Sequence, residues 1–65
     1  MDEREARIRL QGLLVEHSDL DAAIQALADS SAPDQLQIAR LKRKKLHMKD
    51  EIERLRDIIN PDLIA

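Results

Sequence analysis

The sequence contains no cysteine, phenylalanine, tryptophan or tyrosine, and its 65 residues include only one glycine and two prolines. Without cysteine, neither a disulfide nor a thiolate metal site can form. Without aromatic side chains there is no platform on which nucleobases stack, and one glycine cannot build a phosphate-binding loop. Chains this short usually need a disulfide, a metal ion, a partner or well-packed helices to fold. The composition therefore leaves helix packing, combined with self-association, as the means of stabilising the fold.

Long hydrophobic runs are also missing. No run exceeds three residues, as in Leu13-Leu14-Val15, whereas a membrane-spanning helix needs about 20 apolar residues. Residues 1–5 hold three acids and one base, unlike the basic start of a signal peptide. We therefore expect a cytoplasmic protein that does not contact a membrane.

Two series of mostly apolar residues, spaced alternately three and four residues apart, run along the chain. This heptad spacing is typical of helices that pack lengthwise against each other. The series predict one helix over about residues 3–29 and a second over about residues 34–59. The expected fold is all-α, a single antiparallel two-helix hairpin within residues 1–65.

The segment between the two series has the composition of a turn. Residues 30–33 read Ser-Ser-Ala-Pro, in which short polar side chains bond the backbone and proline disfavours helix at the residue before it. Either Asp34 or Ser31 can cap the second helix. Asn60-Pro61 ends that helix and leaves residues 60–65 as a short tail.

The two series also agree in register. Residues equidistant from the turn face each other in an antiparallel hairpin, and the series match when the turn is centred between Ala32 and Pro33. We call the predicted contact between the helices the seam. Its members are Ala6, Leu10, Leu13, His17, Leu20, Ile24, Leu27, Ile38, Leu41, Lys45, Met48, Ile52, Leu55 and Ile59.

Charge is distributed in blocks that fit the same register. Residues 16–29 carry four acids and no base, and residues 36–49 carry six bases and no acid. The basic run from Arg40 to Lys49 also suggests an alternative function, contact with nucleic-acid phosphates. The facing acids, the missing aromatics and the net charge of -2 make nucleic acid the less favoured partner.

Two seam positions are polar. His17 has Asp21 one turn away and could serve a metal or a proton relay, but a zinc site needs three or four ligands, so a packed seam histidine is favoured. Lys45 can bury its stem and direct its ammonium group to Asp21 or Glu16. No catalytic motif is present, and two helices offer no cleft, so we expect no enzyme activity, no cofactor and no metal ion.

Several apolar residues lie outside the seam, where a lone hairpin would leave them in water. Covering them by symmetric pairing of two hairpins would give a homodimer, built as a four-helix bundle. The predicted role is a protein–protein interaction or structural module that acts through self-association. The candidate dimer interface consists of Ile8, Leu14, Val15, Leu46 and Ile58.

Two sequence patterns carry a family resemblance. The first helix reads EHxxLDxxI from Glu16 to Ile24, and the second reads LKxxKLxxKDEI from Leu41 to Ile52. In these patterns the chain resembles the YdcH-like family of small bacterial proteins of unknown function, over about residues 8–57. The resemblance implies a cytoplasmic helical hairpin and transfers no activity and no catalytic residue. Met48 stands where leucine is the more usual residue, a change that a packing position tolerates.

Overall fold

The computed structural model describes residues 1–60 and contains two α-helices, α1 (Glu3–Ala28) and α2 (Gln35–Ile59). They pack side by side as an antiparallel hairpin with dimensions of 46 × 23 × 17 Å. The predicted all-α hairpin is therefore confirmed. Residues 61–65, most of the predicted tail, lie outside the described residues. Neither described helix is long and apolar enough to cross a membrane.

Aspartates cap both helices at their N-termini. The carboxylate of Asp2 accepts a hydrogen bond from the backbone N–H of Glu5 at 2.8 Å. Asp34 does the same for Gln37 at 3.1 Å, so Asp34 rather than Ser31 is the cap of α2. Each bond satisfies one of the N–H groups that a helix start leaves without a partner, and such a cap typically stabilises by about 1 kcal/mol.

The connection between the helices needs no left-handed residue. The first helix ends at Ala28, and the backbone N–H of Asp29 still bonds the carbonyl of Gln25 at 3.0 Å. No non-glycine residue among the described positions has a positive φ angle. The polar segment before Gln35 thus reverses the chain with ordinary backbone conformations. The single glycine of the sequence, Gly12, lies inside α1 and not in this connection.

The apolar core is concentrated at the open end of the hairpin, the end where α1 begins and α2 finishes. A cluster of five buried side chains comprises Ala6, Leu13, Met48, Ile52 and Leu55. Leu10, Leu20 and Ile59 pack against this cluster from partly buried positions. Ile24 and Ile38 are also buried but lie nearer the turn, outside the cluster.

Candidate functional site

The structure places every seam residue in a buried or half-buried position. Seven are buried: Ala6, Leu13, Ile24, Ile38, Met48, Ile52 and Leu55. The others are half-buried: Leu10, His17, Leu20, Leu27, Leu41, Lys45 and Ile59. The two polar members, His17 and Lys45, thus lie at the boundary between the core and the solvent.

Lys45 forms an ion pair across the hairpin. Its side chain is 33% exposed, and its Nζ donates a hydrogen bond to a carboxylate oxygen of Asp21. That hydrogen bond and the lysine charge lower the pKa of Asp21 below its ordinary value, with a smaller contribution from His17. Of the two acceptors predicted for Lys45, Asp21 is therefore the one in contact.

A second ion pair spans the helices and was not predicted from the sequence. Arg9 Nε donates to Glu51 Oε1 at 2.7 Å, and a second guanidinium nitrogen contacts the same oxygen. Both side chains are more than one-third exposed, so the pair contributes about 0–1 kcal/mol. Arg9 and Asp21 lie on opposite edges of the seam, and each edge of the hairpin thus carries one interhelical ion pair.

A shallow groove follows the edge that holds Arg9 and Glu51. It consists of two adjoining open depressions of about 440 and 280 Å³ that share Glu16, Lys44 and Met48. Gly12 lines the groove, and a Cβ atom added there would meet nothing within 4 Å. The remaining lining residues are Arg9, Leu13, Asp19, Leu20, Ala23 and Glu51.

The basic run of α2 lies opposite the acidic residues of α1 in the predicted register, but most of its side chains do not contact an acid within the described part of the chain. Among residues 1–60, only Lys45 of the six bases in this run forms an ion pair. Glu16 and Lys44 line the same groove without pairing. The unpaired bases are all exposed: Arg40, Lys42, Arg43, Lys44 and Lys49.

The five candidate interface residues are all exposed, from 40% for Leu14 to 67% for Ile8 and Leu46. They do not lie on one face. Ile8 and Val15 are seven residues apart, two helical turns, and lie on the side of α1 that points away from α2.

The other three candidates occupy different surfaces. By the same spacing, Leu14 lies on the edge of Asp21, whereas Ile58 lies on the edge of Glu51. Leu46 borders a separate depression on the outside of α2. Exposed apolar residues that the candidate set omitted are Met1 and Leu36, at 65% and 62%.

Titratable side chains are numerous, but within residues 1–60 no three His, Asp or Glu side chains come together in a way that could hold a metal ion. The one shifted pKa resolved in that part of the chain belongs to Asp21, which is 62% exposed. The described surface therefore offers apolar faces, a charged groove and unpaired bases as its candidate functional features.

Comparison with known proteins identifies a family for this chain. No curated protein and no solved structure matches the chain. A family model described as a protein of unknown function (DUF465) matches residues 10–56, most of both helices. YdcH-like proteins belong to this family, so the resemblance seen in the two sequence patterns is confirmed. The chain is thus a member of the DUF465 family of proteins of unknown function.

Proposed function

We propose that the hairpin is a protein–protein interaction module that acts by forming a homodimer. The observation that carries the proposal is the exposure of large apolar side chains around a very thin core. Ile8, Val15, Leu36 and Leu46 are each more than half exposed, although only seven of residues 1–60 are buried. Exposed apolar surface of this kind commonly marks an interaction site.

The size of the chain supports the same proposal. A domain of about 60 residues buries only about 60% of the surface that its unfolded chain exposes. Two helices cover one stripe of each other, and the chain has no cysteine with which to add a disulfide. Pairing with a second copy would place four helices together, which is a standard way to enlarge such a core.

The proposed role is non-catalytic and cytoplasmic. The shifted pKa of Asp21 supports the first point, because it arises from an exposed ion pair rather than from a group held in a cleft. The lack of cysteine fits the second.

Sedimentation equilibrium over a range of micromolar concentrations tests the proposal. We expect a mass near twice that of the 7.5 kDa chain, with dissociation on dilution. The melting temperature should also rise with protein concentration, because a dimer is stabilised by mass action. A mass of one chain at every concentration, together with a concentration-independent melt, would defeat the proposal.

One observation favours a second candidate function, binding to nucleic acid. Five exposed bases of the segment from Arg40 to Lys49 form no ion pair with any described residue. Protein bases that contact phosphates release counterions, so such binding weakens steeply with salt. Titration of duplex and single-stranded oligonucleotides at low and high salt tests this candidate. Absence of binding at about 50 mM salt would exclude it.

A further inference from the structure

The side of α1 that faces away from α2 carries a stripe that is charged only at its two ends. Its residues follow the same alternation of four and three positions as the seam but lie on the other side of the helix, and all are exposed. The chain as a whole is 37% charged, yet the six inner positions hold no charge. From end to end the outer stripe reads Arg4, Ile8, Gln11, Val15, Ser18, Ala22, Gln25 and Asp29.

The corresponding outer side of α2 is different. Four of its seven positions are charged, and they read Leu36, Ala39, Arg43, Leu46, Asp50, Glu53 and Asp57. A helix face exposed to water is normally rich in charge. The outer side of α2 follows that rule and the outer stripe of α1 does not, which distinguishes the stripe as a surface suited to burial.

The two ends of the outer stripe carry opposite charges that form no ion pair within residues 1–60. Arg4 lies in the first turn of α1, and Asp29 follows its last residue. Gln25 Nε2 lies 3.4 Å from Asp29 Oδ1, which places both side chains on the same side of the helix. Charge complementarity therefore favours an antiparallel partner, which brings unlike ends together twice, over a parallel partner, which brings like ends together.

We propose that a second copy of this chain docks on the outer stripe, with the two α1 helices antiparallel and a two-fold axis passing between Val15 and Ser18. This proposal rests on the self-association proposed above. It pairs Arg4 of each copy with Asp29 of the other. The spacing also sets larger side chains against smaller or uncharged polar ones: Ile8 against Gln25, Gln11 against Ala22, and Val15 against Ser18.

The resulting dimer is a layer of four helices. The two α1 helices form its centre, and the two α2 helices lie on the outside with their basic runs facing solvent. An interface of this kind is isologous, since the same stripe serves both copies and closes the assembly at two chains. This layered arrangement differs from the four-helix bundle with one shared core that is expected from the exposed apolar residues alone.

Charge reversal at the ends of the outer stripe tests this geometry. Arg4→Asp and Asp29→Arg each create two like-charge pairs in a homodimer, so each variant should raise the dimer dissociation constant about 5- to 20-fold. An equimolar mixture should recover a heterodimer within about 3-fold of the wild-type constant, because both end pairs become complementary again. Sedimentation equilibrium of each variant and of the mixture measures these constants, at ionic strength low enough to limit screening.

Neither substitution should harm the hairpin itself. An acid in the first turn and a base at the last turn both favour the helix dipole. Asp29 caps α1 through its backbone N–H, which arginine retains. Loss of dimer without loss of helix, followed by circular dichroism, would therefore report on the interface. Arg43→Asp and Asp57→Arg on the outer side of α2 are the matched controls and should leave the dissociation constant unchanged.

A substitution in the middle of the outer stripe gives a second test. Val15→Lys, at a position already 56% exposed, should abolish the dimer, whereas Leu46→Lys, at a position 67% exposed, should not. If the wild-type chain is a monomer, self-association and this interface both fail. If the wild type dimerises but Val15→Lys and the charge reversals leave the dimer intact, self-association stands and the proposed interface is wrong.

Discussion

The two halves of the hairpin are held together differently. At the open end, five buried side chains form one apolar cluster, and three more pack against it. Toward the turn, the buried residues Ile24 and Ile38 lie outside that cluster, and the seam includes the ion-paired Lys45. Burial of apolar surface is therefore greatest in the open half, while the turn half combines two separate buried isoleucines with the Asp34 cap and a modest ion pair.

The largest expected effect is in the open half. Ile52→Ala removes three carbons from a side chain that is 6% exposed within the cluster, so the free energy of unfolding should fall by about 2–4 kcal/mol. Urea denaturation followed by circular dichroism measures the change. Leu36→Ala, at a position 62% exposed, is the control and should change it by less than about 0.5 kcal/mol.

The equivalent substitution near the turn should cost less. Ile38 is 5% exposed but lies outside the cluster, so the chain around it can relax more easily into the space that alanine leaves. We expect Ile38→Ala to lower the free energy of unfolding by about 1–2 kcal/mol in the same denaturation experiment. A loss as large as that of Ile52→Ala would show that the two halves contribute equally.

Replacing the polar seam residue should strengthen the turn half. Lys45→Leu removes an ammonium group that is only one-third exposed and adds apolar contact within the seam, while its partner Asp21 stays 62% exposed to solvent. The melting temperature should rise by about 2–5 °C. A fall would mean that the ion pair with Asp21 is net stabilising.

The smallest effect concerns pH. The lowered pKa of Asp21 in the folded state means that its ionised form is favoured by folding. Its contribution is therefore present above the ordinary aspartate pKa of about 3.9 and is lost as the pH falls through the lower folded value. Melting temperatures of the wild type and Asp21→Asn should differ slightly at pH 7 and converge in acid. A constant difference from pH 7 to pH 2 would contradict this linkage.

The sequence predicts the hairpin well because burial imposes a period. The buried residues of each helix recur at heptad spacing, among them Leu13, Ile24, Ile52 and Leu55. A helix can bury one stripe along its length only if apolar residues recur at this spacing. The capping aspartate at position 34 is predictable for a similar reason, since its bond to the backbone of Gln37 depends on local geometry alone.

The surface is harder to predict. Arg9 and Glu51 pair although the register does not set them opposite each other, because long side chains reach across neighbouring layers of the seam. The apolar character of a residue also does not determine the side of the hairpin on which it lies. Ile8, Leu14 and Ile58 look equivalent in the sequence, yet they occupy three different sides of the hairpin.

The position of the apolar cluster also determines the order in which the chain can fold. Residues that meet near the turn are close in sequence and can find each other first, whereas Leu13 and Ile52 must close a much longer loop. Early contacts near Ile24 and Ile38 gain little, because the cluster forms only when the distant ends arrive. We therefore expect helix pairing at the turn to be short-lived until the open end closes, so that the hairpin folds in a single cooperative step.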